Sequence, residues 1–142
     1  MDVATWHRTG DVGHLDADGN VWIEGRVVHL IHTVDGPVAP VPIEVAAETV
    51  DGVARAAAVA VGPYGVQLVV VVVETVVETV GERTDGHASA ALAAAVRAAC
   101  APQLVAAVWT VKALPVDIRH NAKIDRTALG RTMERTLSGG SR

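Results

Sequence analysis

Three short runs of the chain combine residue types that can bind and polarise a charged substrate. The first is Trp6-His7-Arg8-Thr9-Gly10-Asp11-Val12-Gly13. The second is Gly25-Arg26-Val27-Val28-His29-Leu30-Ile31, followed by Pro40 and Ile43-Glu44. The third is Leu114-Pro115-Val116-Asp117-Ile118-Arg119-His120-Asn121-Ala122-Lys123-Ile124-Asp125-Arg126. Asp11 carries a carboxylate, which only accepts hydrogen bonds when ionised. Arg26 carries a rigid fork of donors. Lys123 carries an ammonium, which stabilises developing negative charge when it is desolvated. Taken singly, each has an ordinary structural use: Thr-Gly-Asp occurs in many turns, Gly-Arg opens many strands, and a lysine in a polar loop is usually a solvated charge.

Other candidates for chemistry fall away on spacing. His29 and His32 stand three apart, a spacing that brings ligands together on a helix. The run Val27–Thr33 reads as a strand, where the two rings point to opposite faces, and no metal site is expected. Asp16-Ala17-Asp18-Gly19 is no calcium loop, because its glycine comes too early and Val27 stands where the closing glutamate belongs. His120 is expected to shape a turn beside Lys123, the alternative being a direct catalytic role. Cys100 is expected to be a small buried residue near a helix end.

The elements that must carry these runs can be laid out from turn chemistry and apolar periodicity. Asp16-Ala17-Asp18-Gly19-Asn20 predicts a hairpin turn between short strands at Val12–Leu15 and Val21–Glu24, since Asp-Gly supplies positive φ. Asp35-Gly36-Pro37 marks a further turn. Pro37, Pro40 and Pro42 exclude a helix through that region, and one can begin near Pro42, carried by Ile43–Val50 and stopped by Asp51-Gly52. Ala54–Val61 and Val66–Glu74 read as strands joined by Gly62-Pro63-Tyr64-Gly65. Val69–Val73 is apolar throughout, so that strand should be covered on both faces. Gly81–Gly86 is expected to be a polar loop, and Ala88–Cys100 a helix with Leu92, Ala95, Val96 and Ala99 on its buried face. A third strand is expected at Ala106–Val111 and an extended or loop segment at Leu114–Asn121. A last helix opens at Asp125 or Thr127 and runs to about Leu137. The sum is an α+β fold, a small sheet of about three strands flanked by helices, preceded by an N-terminal β-hairpin.

The length of 142 residues suits one small domain with an appendage, enough to bury a core without disulfides. A net charge of −4 with no basic run excludes a nucleic-acid partner, and the sparse aromatics offer no platform for stacking bases. The N-terminus lacks the pattern of a signal peptide, the longest apolar run is too short to span a bilayer, and the single cysteine suits a reducing compartment. A cytoplasmic location is the expectation.

In their order and spacing the runs are more specific than any one of them. Trp-x-x-Thr-Gly-Asp, Asp-x-Asp-Gly, Gly-Arg, Pro-x-x-Ile-Glu and Asn-x-Lys-Ile-Asp-Arg resemble the closing motifs of the adenylate-forming superfamily, which includes acyl-CoA synthetases, luciferases and peptide-synthetase adenylation domains. The resemblance runs from about Trp6 to Leu129. It implies that residues 1–25 are the end of a large adenylation domain, that residues 26–137 are the C-terminal lid of an AMP-forming ligase, and that residues 138–142 are a flexible tail. It implies an acid activated with ATP and Mg2+ as an acyl-adenylate, the acid being a fatty or β-hydroxy fatty acid. Asp11 would accept hydrogen bonds from the ribose hydroxyls, Arg26 would contact the ribose or phosphates, Lys123 would bridge the substrate carboxylate and the phosphates, and Val28 would be the hinge.

Two departures narrow the resemblance. Many members carry Asp or Lys where Val28 stands. Many acyl-CoA synthetases also carry paired glycines in the loop that here reads Thr33-Val34-Asp35-Gly36-Pro37-Val38-Ala39-Pro40-Val41-Pro42-Ile43-Glu44, near which CoA normally passes. Gly-Arg-x-x-His, Asp-Gly-Pro, Val-Pro-x-Glu and Pro-Val-Asp-x-Arg-His-Asn-Ala-Lys-Ile are more similar to the β-lactone synthetase branch of bacterial olefin biosynthesis, whose members close a lactone without CoA. The chain lacks a Gly/Ser/Thr-rich phosphate loop and an acyl pocket, so a large adenylation domain in cis or in trans is the expected partner, and the chain alone is expected to be inactive. The alternative is a non-catalytic remnant that self-associates through the face left uncovered.

Overall fold

The computed structural model describes residues 5–76, 85–120 and 123–139. It begins with a hairpin, β1 (Asp11–Leu15) and β2 (Val21–Arg26). Asp16 organises the turn. Its Oδ1 accepts the backbone N–H groups of Asp18 and Asn20, each at 2.9 Å, and its Oδ2 accepts Asn20 Nδ2 at 3.0 Å and Trp22 Nε1 at 2.8 Å. The register slips between Val12 and Gly13, and a Cβ on Gly13 would come within 2.4 Å of the Trp22 carbonyl oxygen, so only glycine fits this bulge.

After β2 the chain departs from the expected strand. Val27–His29 forms a 3-10 turn closed by the Leu30 N–H on the Val27 carbonyl at 3.2 Å, and only Ile31–Thr33 (β3) is extended. Val27 and Val28 are exposed and have no neighbouring strand, so their β-branched side chains gain nothing from extension. β3 pairs with β4 (Gly36–Val38), which leads into α1 (Pro40–Glu48). The helix starts two residues earlier than the prolines suggested. Pro40 and Pro42 fall in its first turn, where their missing N–H groups would have had no intrahelical partner.

The central sheet contains β5 (Val53–Val61), β6 (Leu68–Thr75), β7 (Gly86–His87) and β8 (Ala107–Val111), in the order β5-β6-β8-β7. β5 and β6 are antiparallel, β6 and β8 parallel, and β7 and β8 antiparallel. The Gly62-Pro63-Tyr64-Gly65 turn joins β5 to β6 as its composition predicted. β6 begins at Leu68 rather than Val66, because Gln67 is committed elsewhere: its N–H donates to His32 O at 3.0 Å and its Oε1 accepts the His32 N–H at 2.9 Å. The loop expected over Gly81–Gly86 lies outside the described residues up to position 84, and Gly86 belongs to the short edge strand β7.

The apolar run of β6 has both faces buried, as its lack of alternation required. Val69, Val71 and Val73 join α1 and α2 (Ala90–Cys100) on one side; Val70 and Val72 join Leu114 and α3 (Arg126–Leu137) on the other. The buried stripe of α2 is Leu92, Val96 and Cys100, an i, i+4, i+8 line, and it leaves the expected Ala95 exposed. Cys100 is buried at the helix end, and its Sγ–H donates to the Ile43 carbonyl. The segment after β8 pairs β9 (Val116–Asp117) with β10 (Lys123–Ile124) around a 3-10 turn at Ile118–His120, and Asp125 caps α3 by accepting the Ala128 N–H at 2.9 Å. Among the described residues, no helix is long and apolar enough to cross a membrane.

The hydrogen bond from Trp22, then those from the Asn20 side chain and the Asn20 and Asp18 backbone, hold the Asp16 carboxyl at about 2, against an ordinary value of 3.8. A depressed carboxyl pKa contributes stability that is complete above the ordinary value and lost as pH falls through the folded one. The Trp22 indole N–H resonance is therefore expected to titrate with a midpoint near 2, and Asp16→Asn to abolish that transition; a midpoint in the ordinary carboxylate range would contradict the arrangement.

Candidate functional site

The first two sequence runs meet across the N-terminal hairpin. Asp11 stands opposite Arg26 in the β1–β2 register, and Arg26 Nε lies 3.3 Å from Asp11 Oδ1. Arg26 Nη2 also donates to the Thr9 carbonyl at 3.1 Å, the Asp11 N–H donates to Thr9 Oγ1 at 3.2 Å, and the Val27 N–H closes onto Gly10 O at 2.8 Å. The Thr-Gly-Asp corner thus holds both the carboxylate and the guanidinium. Both side chains keep substantial exposure, so the pair is open to exchange partners with a ligand.

The second and third runs meet at α1. Gly25 has φ +145°, and a Cβ there would lie 3.0 Å from Pro40 Cδ, so the strand end packs tightly on the first turn of the helix. Three residues into that helix, Ile43 is buried in the core. Glu44, next along, is also buried, and it receives Arg126 from the third run: Arg126 Nε donates to Glu44 Oε2 at 2.9 Å, and Arg126 Nη2 donates to Glu44 Oε1. The Ala58 N–H in β5 donates to Glu44 Oε2 at 2.9 Å.

These contacts frame a cleft of about 690 Å³ whose lining includes Asp11, Arg26, His29, Pro40, Lys123 and Arg126. Asp11, Arg26 and Lys123, which are far apart in sequence, therefore share one concave surface. Lys123 is exposed, and among the described residues no ion pair holds its ammonium. Val28 stands outside this cleft. It is 81% exposed on the 3-10 turn and borders a second groove of about 200 Å³ that runs between the turn, β5 and α3.

The sequence marks His29 only by its spacing from His32 and its place in Gly-Arg-x-x-His. His29 lines the main cleft, while His32 stacks on Tyr64 with ring centroids 4.4 Å apart, so the two rings diverge although His29 is not on a strand. Among the described residues no group of three or more His, Cys, Asp or Glu side chains converges as a metal site would require. His120 ends the 3-10 turn before the Lys123 segment, and its side chain lies outside the described residues. Glu44 and Arg126 closed two of the quoted motifs, yet nothing in one sequence tells that the two ends meet.

The cleft can bind a polar ligand from one side. It offers an acceptor at Asp11 and cationic donors at Arg26 and Lys123, a set that fits the hydroxyls and phosphates of a nucleotide. The described residues supply no cluster of acids to ligate Mg2+.

No protein-family model matches the chain. It is 41% identical over 124 residues to an olefin beta-lactone synthetase of Stenotrophomonas maltophilia, and 38% identical over 127 residues to one of Xanthomonas campestris pv. campestris. Each match takes in 87% of this chain, and the chain spans 22% of the length of these curated relatives. Among solved structures, ATP-bound MatB from Rhodopseudomonas palustris superposes with a TM-score of 0.72 over 90% of this chain and 24% of its own, at 24% identity, a likeness of fold.

Burial, then the positive charges of Arg126 and Arg26, push the His29 pKa below its usual value of 6.5, against smaller opposing effects of Glu44 and Asp125. Because the folded value is depressed, the unfolded chain binds the extra proton first as pH falls. The stability tied to a neutral His29 is thus complete above the ordinary histidine range and declines below it. In a two-dimensional NMR titration the His29 ring is expected to show a midpoint below 6.5, moving upward in Arg126→Gln; a midpoint at or above 6.5 would mean the ring is not flanked as described.

Proposed function

The chain belongs to the adenylate-forming superfamily as a C-terminal domain, and on that premise we propose that it is the mobile lid of an AMP-forming acid ligase, with Lys123 as its catalytic group. The observation that carries this reading is the shared cleft: Lys123, Asp11 and Arg26 line one surface although Asp11 and Lys123 come from opposite ends of the sequence. An exposed ammonium that no ion pair holds among the described residues suits a group that must enter a site completed by another part of the polypeptide.

In this mechanism Asp11 accepts the ribose hydroxyls of ATP, and Arg26, adjacent to it, faces the ribose or the phosphates. The Lys123 ammonium donates to a carboxylate oxygen of the acid and to a phosphate oxygen, drawing nucleophile and phosphorus together. As the carboxylate attacks the α-phosphorus, negative charge gathers on the phosphate oxygens and pyrophosphate leaves, and a fixed cation there lowers the barrier. Mg2+, held by phosphates and by the large domain, would neutralise the leaving group. After adenylation the lid rotates about the turn at Val28 to admit the second half-reaction. Exposure of Val28 and the absence of strand pairing at Val27–His29 support a pivot at this place.

The sequence similarity to two olefin beta-lactone synthetases favours a β-hydroxy fatty acid as substrate, with the hydroxyl displacing AMP to close a lactone. The tight β3–β4 hairpin running straight into the proline-led α1 supports this branch, because it leaves no glycine-rich passage at the place where CoA enters many ligases. One observation favours the alternative of a self-associating remnant: Leu15, Val21, Trp22 and Ile23 expose more than half of their surface on the hairpin.

With the polypeptide joined to its large adenylation domain, in cis or in trans, Lys123→Ala is expected to lower ATP–pyrophosphate exchange by about 10²–10³-fold. Exchange that survives this substitution at near wild-type rate overturns the reading. A stable dimer of the chain that neither pairs with an adenylation domain nor alters its exchange rate would support the remnant instead.

A further inference from the structure

The strand that carries Lys123 is very short. β10 has two residues, paired only with Asp117 and Val116 of β9, and two residues cannot fix a register by themselves. Something else must decide where the ammonium points. The chain downstream of Lys123 is fastened at successive positions. Ile124 packs partly buried against the core beneath α3. The Asp125 N–H donates to Pro115 O at 2.9 Å, and its carboxylate caps α3. Arg126 then forks onto Glu44 with Nε and Nη2, so a planar guanidinium meets a planar carboxylate in the geometry that fixes direction as well as distance.

Glu44 is itself held. Its Oε2 accepts the Ala58 N–H from β5, the long strand at one edge of the central sheet, and its helix begins at Pro40, against which Gly25 is packed. One carboxylate therefore ties the Lys123 segment, the sheet and the Gly-Arg corner into a single frame. Stability alone gives little reason for an ion pair here, since well-packed apolar side chains of similar volume commonly serve as well or better in such places. The fork offers what apolar packing cannot, a fixed direction for the backbone that leads back to Lys123.

From this frame we infer that Glu44 and Arg126 form a positioning pair for Lys123, acting on acyl-adenylate formation through the placement of its ammonium. The inference rests on the function proposed above. Neither residue touches the reacting atoms; their effect passes through the short stretch of chain, Ile124 and Asp125, between Arg126 and Lys123.

The test uses E44Q/R126M in the polypeptide joined to its adenylation domain. Gln at position 44 keeps an acceptor for the Ala58 N–H and Met at 126 keeps the stem's volume, so the fold is retained while the fork is lost. Turnover in ATP–pyrophosphate exchange is expected to fall by about 10–100-fold, the scale on which a displacement of about 1 Å acts. KM for ATP should stay within about twofold, and consumption of separately synthesised acyl-adenylate should be retained. In a K123A background the same pair of changes should cause no further loss, because its route is already closed. The inference is overturned if exchange is unaffected, if both half-reactions fall together, or if exchange falls again in the K123A background. If K123A alone leaves exchange intact, the proposed function fails first; if K123A abolishes exchange and E44Q/R126M does not lower it, only the positioning role fails.

Discussion

The fork between Arg126 and Glu44 fixes the start of α3 directly to α1, two helices that otherwise meet only through the sheet between them. α1 packs on one face of the sheet and α3 on the other, and the pair reaches between them past β5, whose Ala58 N–H completes the carboxylate's contacts. A buried carboxylate without partners costs several kcal/mol, on the order of the net stability of a small domain. Here the cost is offset on both oxygens, and the result is a fixed relation between the helix that abuts the Gly-Arg corner and the helix that follows Lys123. The two helix starts, Pro40 and Arg126, both line the cleft.

The sheet provides the platform for that arrangement. Its central strand β6 is apolar on both faces, so each face must be covered by helix, and α1, α2 and α3 are distributed accordingly. The parallel pairing of β6 with β8 needs a long crossover, which carries α2. The N-terminal hairpin contributes differently. Its turn is built from polar contacts to Asp16, its strands are largely exposed, and its junction with the rest is a close backbone approach at Gly25. The 3-10 turn at Val27–His29 follows the hairpin directly.

Electrostatics in the cleft is dominated by cations that differ in their freedom. Arg126 is committed to Glu44, Arg26 is shared between Asp11 and the Thr9 carbonyl, and Lys123 is exposed. His29 lies among them, its pKa pushed below the usual value by burial and then by the two guanidiniums. A neutral imidazole can accept a hydrogen bond where a protonated one would repel the neighbouring cations.

Much of this was legible in the sequence. The double-faced burial of Val69–Val73 followed from the absence of alternation, and the turns at Asp16–Asn20 and Gly62–Gly65 followed from residues that tolerate positive φ. The sequence left the start of α3 between Asp125 and Thr127, and the structure has Asp125 as its cap. These depend on neighbours close in the chain. What the tertiary structure alone decided depends on partners far away. Val27–His29 has strand-forming residues but no strand beside it, so it turns. Gln67 is drawn out of β6 by His32. Glu44 and Arg126 each ended a motif, and no local rule relates residues 82 positions apart. The sequence determined which side chains could do chemistry; their convergence on one cleft was decided by packing both faces of the sheet, because that packing sets which helix ends become neighbours.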